Sequence, residues 1–89
     1  MVSTVEFEND RVRVLRVKHE KRERHTRGAR HDRLIIYLTD GHIMRTENGK
    51  REEIRHKAGD VVWRTRSQHD IENLADTHHE VVVVELLKS

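Results

Sequence analysis

The chain has 89 residues, of which 34% are hydrophobic, 3% are aromatic and 38% are charged, and its formal net charge is +2. This length fits one domain, residues 1–89, and leaves no room for a second core. The absence of cysteine excludes disulfides and thiolate chemistry. No apolar run approaches the about 18 residues that a membrane-spanning helix needs, and no basic segment followed by an apolar run opens the chain. We therefore expect a cytoplasmic protein that does not contact a membrane.

Short strands separated by turns cover nearly the whole sequence. Period-two alternation and β-branched residues predict seven or eight strands, and no segment has a helical period. The strands are expected near Val5 and at residues 11–18, 33–39, 42–47, 50–56, 61–65 and 80–87. The dipeptides Asp40-Gly41 and Asn48-Gly49 predict tight hairpins, because a type I′ turn needs positive φ at both central residues. The sequence therefore predicts an all-β antiparallel sandwich or barrel.

Two of the predicted strands need cover on both faces. Residues 33–39 and 80–87 are apolar on both sides, in a chain too poor in apolar residues to cover them internally. We therefore expect a homodimer, with contacts from the first two strands because edge strands pair most readily. Residues 11–18 change parity between Val14 and Leu15, which predicts a β-bulge there.

A basic segment extends from Arg16 to Arg33 and contains eight Lys or Arg against three carboxylates. Such a segment suits phosphates or anionic metabolites, and it equally suits a solvated edge strand whose charges prevent unwanted pairing. No aromatic residue interrupts the segment to stack on bases, so a nucleic acid is not expected as a partner.

One set of histidines and carboxylates has the spacing of metal ligands. His25 and Arg27 lie on one face of a strand and are followed by Asp32, while His69 lies far along the chain. Two imidazoles and one carboxylate suffice for a divalent Fe, Mn, Ni or Zn ion with open coordination positions. Arg27 opposes a cation by its charge and can pair with Asp32 instead. Two interpretations stay open: a metal site, and a metal-free cavity in which an ion pair takes its place.

These motifs resemble those of the cupin superfamily, whose members are small double-stranded β-helix or jelly-roll barrels. The resemblance covers residues 11–87. Its residues are His25-x-Arg27, Asp32 and Gly41 for the first motif, and Gly59-Asp60 with His69-x-x-x-Asn73 for the second. In cupins that bind metal, the corresponding positions hold one ion in the barrel mouth. The resemblance thus implies His25, Asp32 and His69 as metal ligands, with Arg27 standing where a second histidine is usual.

The resemblance implies a single-domain cupin with a site for a divalent metal and a small metabolite, and an activity as a metal-dependent enzyme is one expectation. The alternative is a non-catalytic cupin that binds a small anionic ligand, with the Arg27–Asp32 pair replacing the metal site. We expect Arg27, His31 and Trp63 to contact the ligand. The sequence assigns no catalytic residue and no substrate. The remaining histidines are expected to be exposed at strand ends or turns: His19, His42, His56, His78 and His79.

Overall fold

Nine strands form the described part of the chain. The computed structural model describes residues 2–29 and 31–87, and the backbone alone for residues 25–29. The strands are β1 (Val2–Glu8), β2 (Val12–His19), β3 (Arg24–Ala29), β4 (Arg33–Tyr37), β5 (Gly41–Glu47), β6 (Lys50–His56), β7 (Val61–Arg64), β8 (Ser67–Asn73) and β9 (His79–Leu86). Within these residues there is no helix that could cross a bilayer. The predicted all-β fold is confirmed, although nine strands exceed the expected seven or eight.

The strands form two antiparallel sheets, with the orders β1-β2-β9-β4-β7 and β3-β8-β5-β6. Strands that are distant in sequence are neighbours, because β9 lies between β2 and β4, and β8 lies between β3 and β5. The chain therefore crosses repeatedly between the sheets, as in a jelly-roll barrel. The predicted double-stranded β-helix architecture is confirmed.

The core lies between the two sheets and follows the strand alternation. On β9, Val81 and Val83 are buried, whereas Val82 and Val84 between and beyond them are only partly buried. Val17 of β2 and Tyr37 of β4 complete the same cluster. The apolar run in β9 thus places valine side chains on both faces of the sheet, since successive side chains of a strand point to opposite sides.

The two predicted hairpin turns have different outcomes. Asn48 and Gly49 have φ values of 52° and 78° and join the paired strands β5 and β6. The hairpin predicted at Asn48-Gly49 is therefore confirmed. The prediction of a hairpin at Asp40-Gly41 is wrong, because β4 pairs with β7 and β9 and not with β5. Asp40-Gly41 instead carries the chain from one sheet to the other. A glycine is required there because a Cβ at Gly41 would collide with the rings of His56 and His79.

The predicted bulge lies on the neighbouring strand. The pairing of β2 with β9 is continuous, so no extra residue is inserted in β2. The register shift lies in β1, where Val5 pairs with Leu15 and Phe7 pairs with Val14. Glu6 is the extra residue, and it reverses the sides to which the following side chains of β1 point.

Candidate functional site

An interior cavity of about 50 Å³ lies between the two sheets, well above the ~10–15 Å³ that one water needs. Its side walls are apolar and its two ends are polar. One end is rich in arginine and the other in histidine. The walls include Ile35, Ile43, Ile54, Ile71, Val81 and Val83. One end, which we call the arginine end, is lined by Arg33, Arg45, Arg64 and His69, and the other, the histidine end, by His19, Tyr37 and His79.

Two arginines are direct neighbours at the arginine end. Arg33 at the start of β4 pairs with Arg64 on β7, and Arg33 is only 4% exposed. Its Nη1 donates to the carbonyl oxygen of Thr65 at 3.1 Å. Directly paired residues have Cβ atoms about 4.5–5.5 Å apart, and like charges at that separation are destabilising. Glu85 pairs with Arg33 on its other side, but this carboxylate also lies 3.6 Å from Arg13.

The opposite sheet contributes a third guanidinium and an imidazole. Arg45 of β5 donates from Nη2 to Glu47 Oε2 at 3.0 Å and to Ser67 Oγ at 3.3 Å. Ser67 Oγ lies 3.2 Å from Nδ1 of His69, which is buried. The hydroxyl therefore connects the guanidinium to the imidazole and holds both at the cavity.

The first sequence motif reaches this site through the backbone of β3. Arg27 pairs with His69, and His25 pairs with Ile71. The side chains of His25 and Arg27 lie outside the described residues, so their roles as metal ligand and ligand contact stay predictions.

Asp32 makes a structural contact just before β4. Its Oδ1 accepts the backbone N–H of Arg66 at 2.9 Å, and its carbonyl oxygen accepts the N–H of Leu86 at 3.0 Å. The next residue, Arg33, is the one buried at the cavity. Among the side chains that the structure describes, no group of three His, Asp or Glu is arranged to hold a metal ion.

The two other predicted ligand contacts lie at different places. His31 is partly buried in the segment that leads into β4. Trp63 is 51% exposed and alternates with Val62 and Arg64, which are partly buried. A ligand that contacts Trp63 would therefore bind on the outside of the barrel. No measurement tests these two contacts, and they stay predictions.

The histidine end is closed by a pair of imidazoles that sequence reasoning placed at the surface. His56 Nε2 and His79 Nε2 are 2.7 Å apart, and both rings are buried. The ring of Tyr37 stacks on His56 with centroids 3.5 Å apart. Burial, followed by the nearby His56 and His78, lowers the pKa of His79 to about 4, and burial also lowers the pKa of His56. The pair is therefore neutral at pH 7, with one ring donating to the other.

Three of the histidines that were expected to be exposed are therefore buried. The expectation is wrong for His19, His56 and His79. His19 is the last residue of β2 and His79 is the first residue of β9, and the two are paired. A residue at the end of a strand can therefore lie in the interior of this barrel. The sequence signal for these buried rings is Gly41, because a Cβ there would overlap the rings of His56 and His79. This signal can be interpreted only when the arrangement of the two sheets is known.

Asn73, the last residue of the second motif, has a structural role. Its side chain is fully buried and donates to the carbonyl oxygens of Glu20 and Thr77 at 3.0 and 2.9 Å. Its Oδ1 accepts the N–H of Ala75 at 3.0 Å. These bonds fix two loops beside the histidine end.

Comparisons with known proteins identify the fold. A scan against protein families and a search of the curated proteins find no match. A cupin domain from Bordetella pertussis Tohama I superposes with a TM-score of 0.90 at 20% identity, covering 99% of this chain and 93% of that chain. A cupin superfamily protein from Desulfitobacterium hafniense DCB-2 gives 0.72 at 17% identity, covering 98% and 77%. Fe(II)-HppE with an alternative substrate gives 0.67 at 11% identity, covering 83% and 42%.

The chain therefore has the cupin fold, as its two sequence motifs predicted. One fold supports many functions, so the function has to be argued from the cavity.

Proposed function

We propose that this cupin-fold protein binds a small organic anion, a carboxylate or a phosphate, at the arginine end of its barrel. The observation that carries the proposal is the paired Arg33 and Arg64, which Arg45 joins from the opposite sheet. The described residues that line the cavity include no Asp or Glu. Guanidinium groups keep their charge at any working pH, and they bind carboxylate and phosphate through two parallel hydrogen bonds.

The cost of bringing these charges together supports a bound counter-ion. Arg33 and Arg64 repel each other as a cross-strand pair, and Arg33 is almost completely buried. Arg33 already donates to the carbonyl oxygen of Thr65, so the support for an anion comes from the closeness of two like charges. An anion between the two guanidiniums would offset their repulsion.

The cavity also limits the size of the ligand. It measures about 50 Å³, and the walls between its two polar ends are isoleucine and valine side chains. The expected ligand therefore has one anionic group and a short apolar body. His69 and Ser67 add polar groups beside the guanidiniums. They favour a ligand that has a further polar oxygen outside its anionic group.

A divalent metal is the competing proposal, and the described side chains fit it less well. Three guanidiniums around one cavity oppose a cation by charge, and the Asp32 carboxylate is already bonded to the Arg66 amide. The metal interpretation depends on His69 together with His25. Titration with Ni(II) distinguishes the two proposals.

Calorimetric titration of the purified protein with inorganic phosphate and with acetate or propionate tests the anion proposal. The two kinds of probe separate a phosphate site from a carboxylate site. Arg64→Gln should weaken binding at least tenfold, about 1.4 kcal/mol, because a hydrogen bond to a charged group is worth about 1.5–3 kcal/mol. Arg66→Gln is the matched control, since Arg66 lies two residues away and is exposed. Absence of binding by both phosphate and the carboxylate probe, or equal losses in both variants, would overturn the proposal.

A further inference from the structure

An apolar row crosses the outward face of the five-stranded sheet. The chain of direct Cα pairs is Phe7, Val14, Val84, Leu34 and Trp63, one residue from each of β1, β2, β9, β4 and β7. Directly paired residues of neighbouring strands share a face. These five residues therefore form a continuous band from one edge of the sheet to the other, which we call the apolar row.

A second row lies beside it and is also mainly apolar. Arg16, Val82, Ile36 and Val61 are paired in the same way across β2, β9, β4 and β7. The guanidinium of Arg16 donates to Glu6 at 2.6 Å and to Glu80 at 2.9 Å. The charge on this row is therefore already compensated within the chain, and covering the face would not bury an unpaired ion.

The exposure of this face is unusual for a chain with so few apolar residues. Phe7 is 54% and Trp63 51% exposed, and they are two of the three aromatic residues in the chain. Monomers seldom expose contiguous apolar patches larger than a few hundred Å². Tryptophan is also enriched among the residues that dominate binding energy at interfaces.

We propose that a second copy of this chain covers this face, with the two five-stranded sheets packed against each other. The apolar row has an aromatic ring at each end and aliphatic residues between them. When a second copy is placed over it in the reverse direction, aromatic ends therefore meet aromatic ends and aliphatic residues meet aliphatic residues. A two-fold axis along the strands places the Phe7 end of one row over the Trp63 end of the other. Sheets packed in this way lie about 10 Å apart.

The available area is just sufficient for a specific dimer. Five strands about 4.8 Å apart, over about 20 Å of strand length, present roughly 500 Å² per copy. Two copies would bury about 1,000 Å², which is near the lower limit for a specific interface. The local charge balance and the palindromic pattern of the apolar row favour a second copy over a charged partner.

Matched substitutions on β1 test the proposal. Phe7 and Val5 are both 54% exposed on one strand, but the bulge at Glu6 puts them on opposite sides, since Val5 pairs with Leu15. Phe7→Lys should weaken the dimer at least tenfold in sedimentation velocity, and Val5→Lys should leave it intact. Circular dichroism confirms that each variant is folded.

Trp63 provides a second readout, because it is the single tryptophan. Its emission should shift to shorter wavelength as the protein concentration rises through the dimer dissociation constant, and this shift should disappear in Phe7→Lys. A wild-type protein that is monomeric at tens of micromolar with constant emission would overturn the proposal. Equal loss of the dimer in Val5→Lys and Phe7→Lys would also overturn it, since it would indicate pairing through the edge of β1.

Discussion

Acid should destabilise this fold through the imidazole pair at the histidine end. His79 is 3% exposed, and burial, followed by its neighbours His56 and His78, lowers its pKa to about 4. In the unfolded chain the pKa of a histidine is about 6.5. As pH falls, the unfolded state therefore takes up this proton before the folded state does. The contribution of His79 to stability is complete above pH 6.5 and is lost as pH falls from there towards 4.

The size of the effect follows from the two pKa values. At pH 5 the unfolded imidazole is largely protonated and the folded one is largely neutral, which disfavours the folded state by about 2 kcal/mol relative to pH 8. A domain of this size has a stability of roughly 4–13 kcal/mol, so the loss is measurable. Asp40 and Asp60 oppose the lowering of the pKa of His56, and His19 and Tyr37 are the other titratable groups that face His79.

Urea unfolding of the wild type and His79→Gln at pH 8, 7, 6 and 5 measures this contribution. Glutamine keeps a hydrogen-bond partner for His56 and removes the titrating group, so the stability lost between pH 8 and pH 5 should shrink by about 2 kcal/mol. His78→Gln is the control, because the His78 side chain is about half exposed and has the smallest effect on the pKa of His79. Identical pH dependence in the wild type and His79→Gln would refute the reasoning.

Three further substitutions test individual contacts by chemical or thermal unfolding. Gly41→Ala should destabilise the fold by about 1–3 kcal/mol, because its Cβ would overlap the rings of His56 and His79; unchanged stability would mean that those rings are packed differently. Asn73→Ala should cost about 2 kcal/mol or more, since it removes three partly buried hydrogen bonds to the backbone, and a loss below about 0.5 kcal/mol would contradict this role. Arg64→Gln should keep or increase stability in anion-free buffer, because it relieves the repulsion with Arg33; a clear loss would mean that Arg64 serves the fold and not a ligand.

Local turn chemistry and the cupin motifs made most of the fold predictable. The Asn48-Gly49 pair specifies a tight turn by itself, because few other residues adopt positive φ. Asp40-Gly41 has similar chemistry, but its glycine serves close packing between the sheets, which local sequence does not encode. The strand β8 (Ser67–Asn73) was missed because two of its buried positions, His69 and Asn73, are polar and hide the alternation.

The candidate site was only partly predictable. The second motif led to His69, which the structure places in the cavity. The first motif drew attention to Asp32, whereas the buried residue is Arg33. Strand parity could have found it, since Arg33 alternates with Ile35 and Tyr37, which face the interior. The approach of His56 to His79 depends on crossovers between sheets, so no local pattern predicts it.

Calorimetric titration of one wild-type preparation with inorganic phosphate, with propionate and with Ni(II) tests the central claim most directly. If the arginine end is an anion site, at least one anion binds with one-to-one stoichiometry, Arg64→Gln weakens it at least tenfold, and Ni(II) gives no comparable binding. Tight one-to-one binding of Ni(II) that is lost in His69→Ala, together with no heat from either anion, would contradict this account.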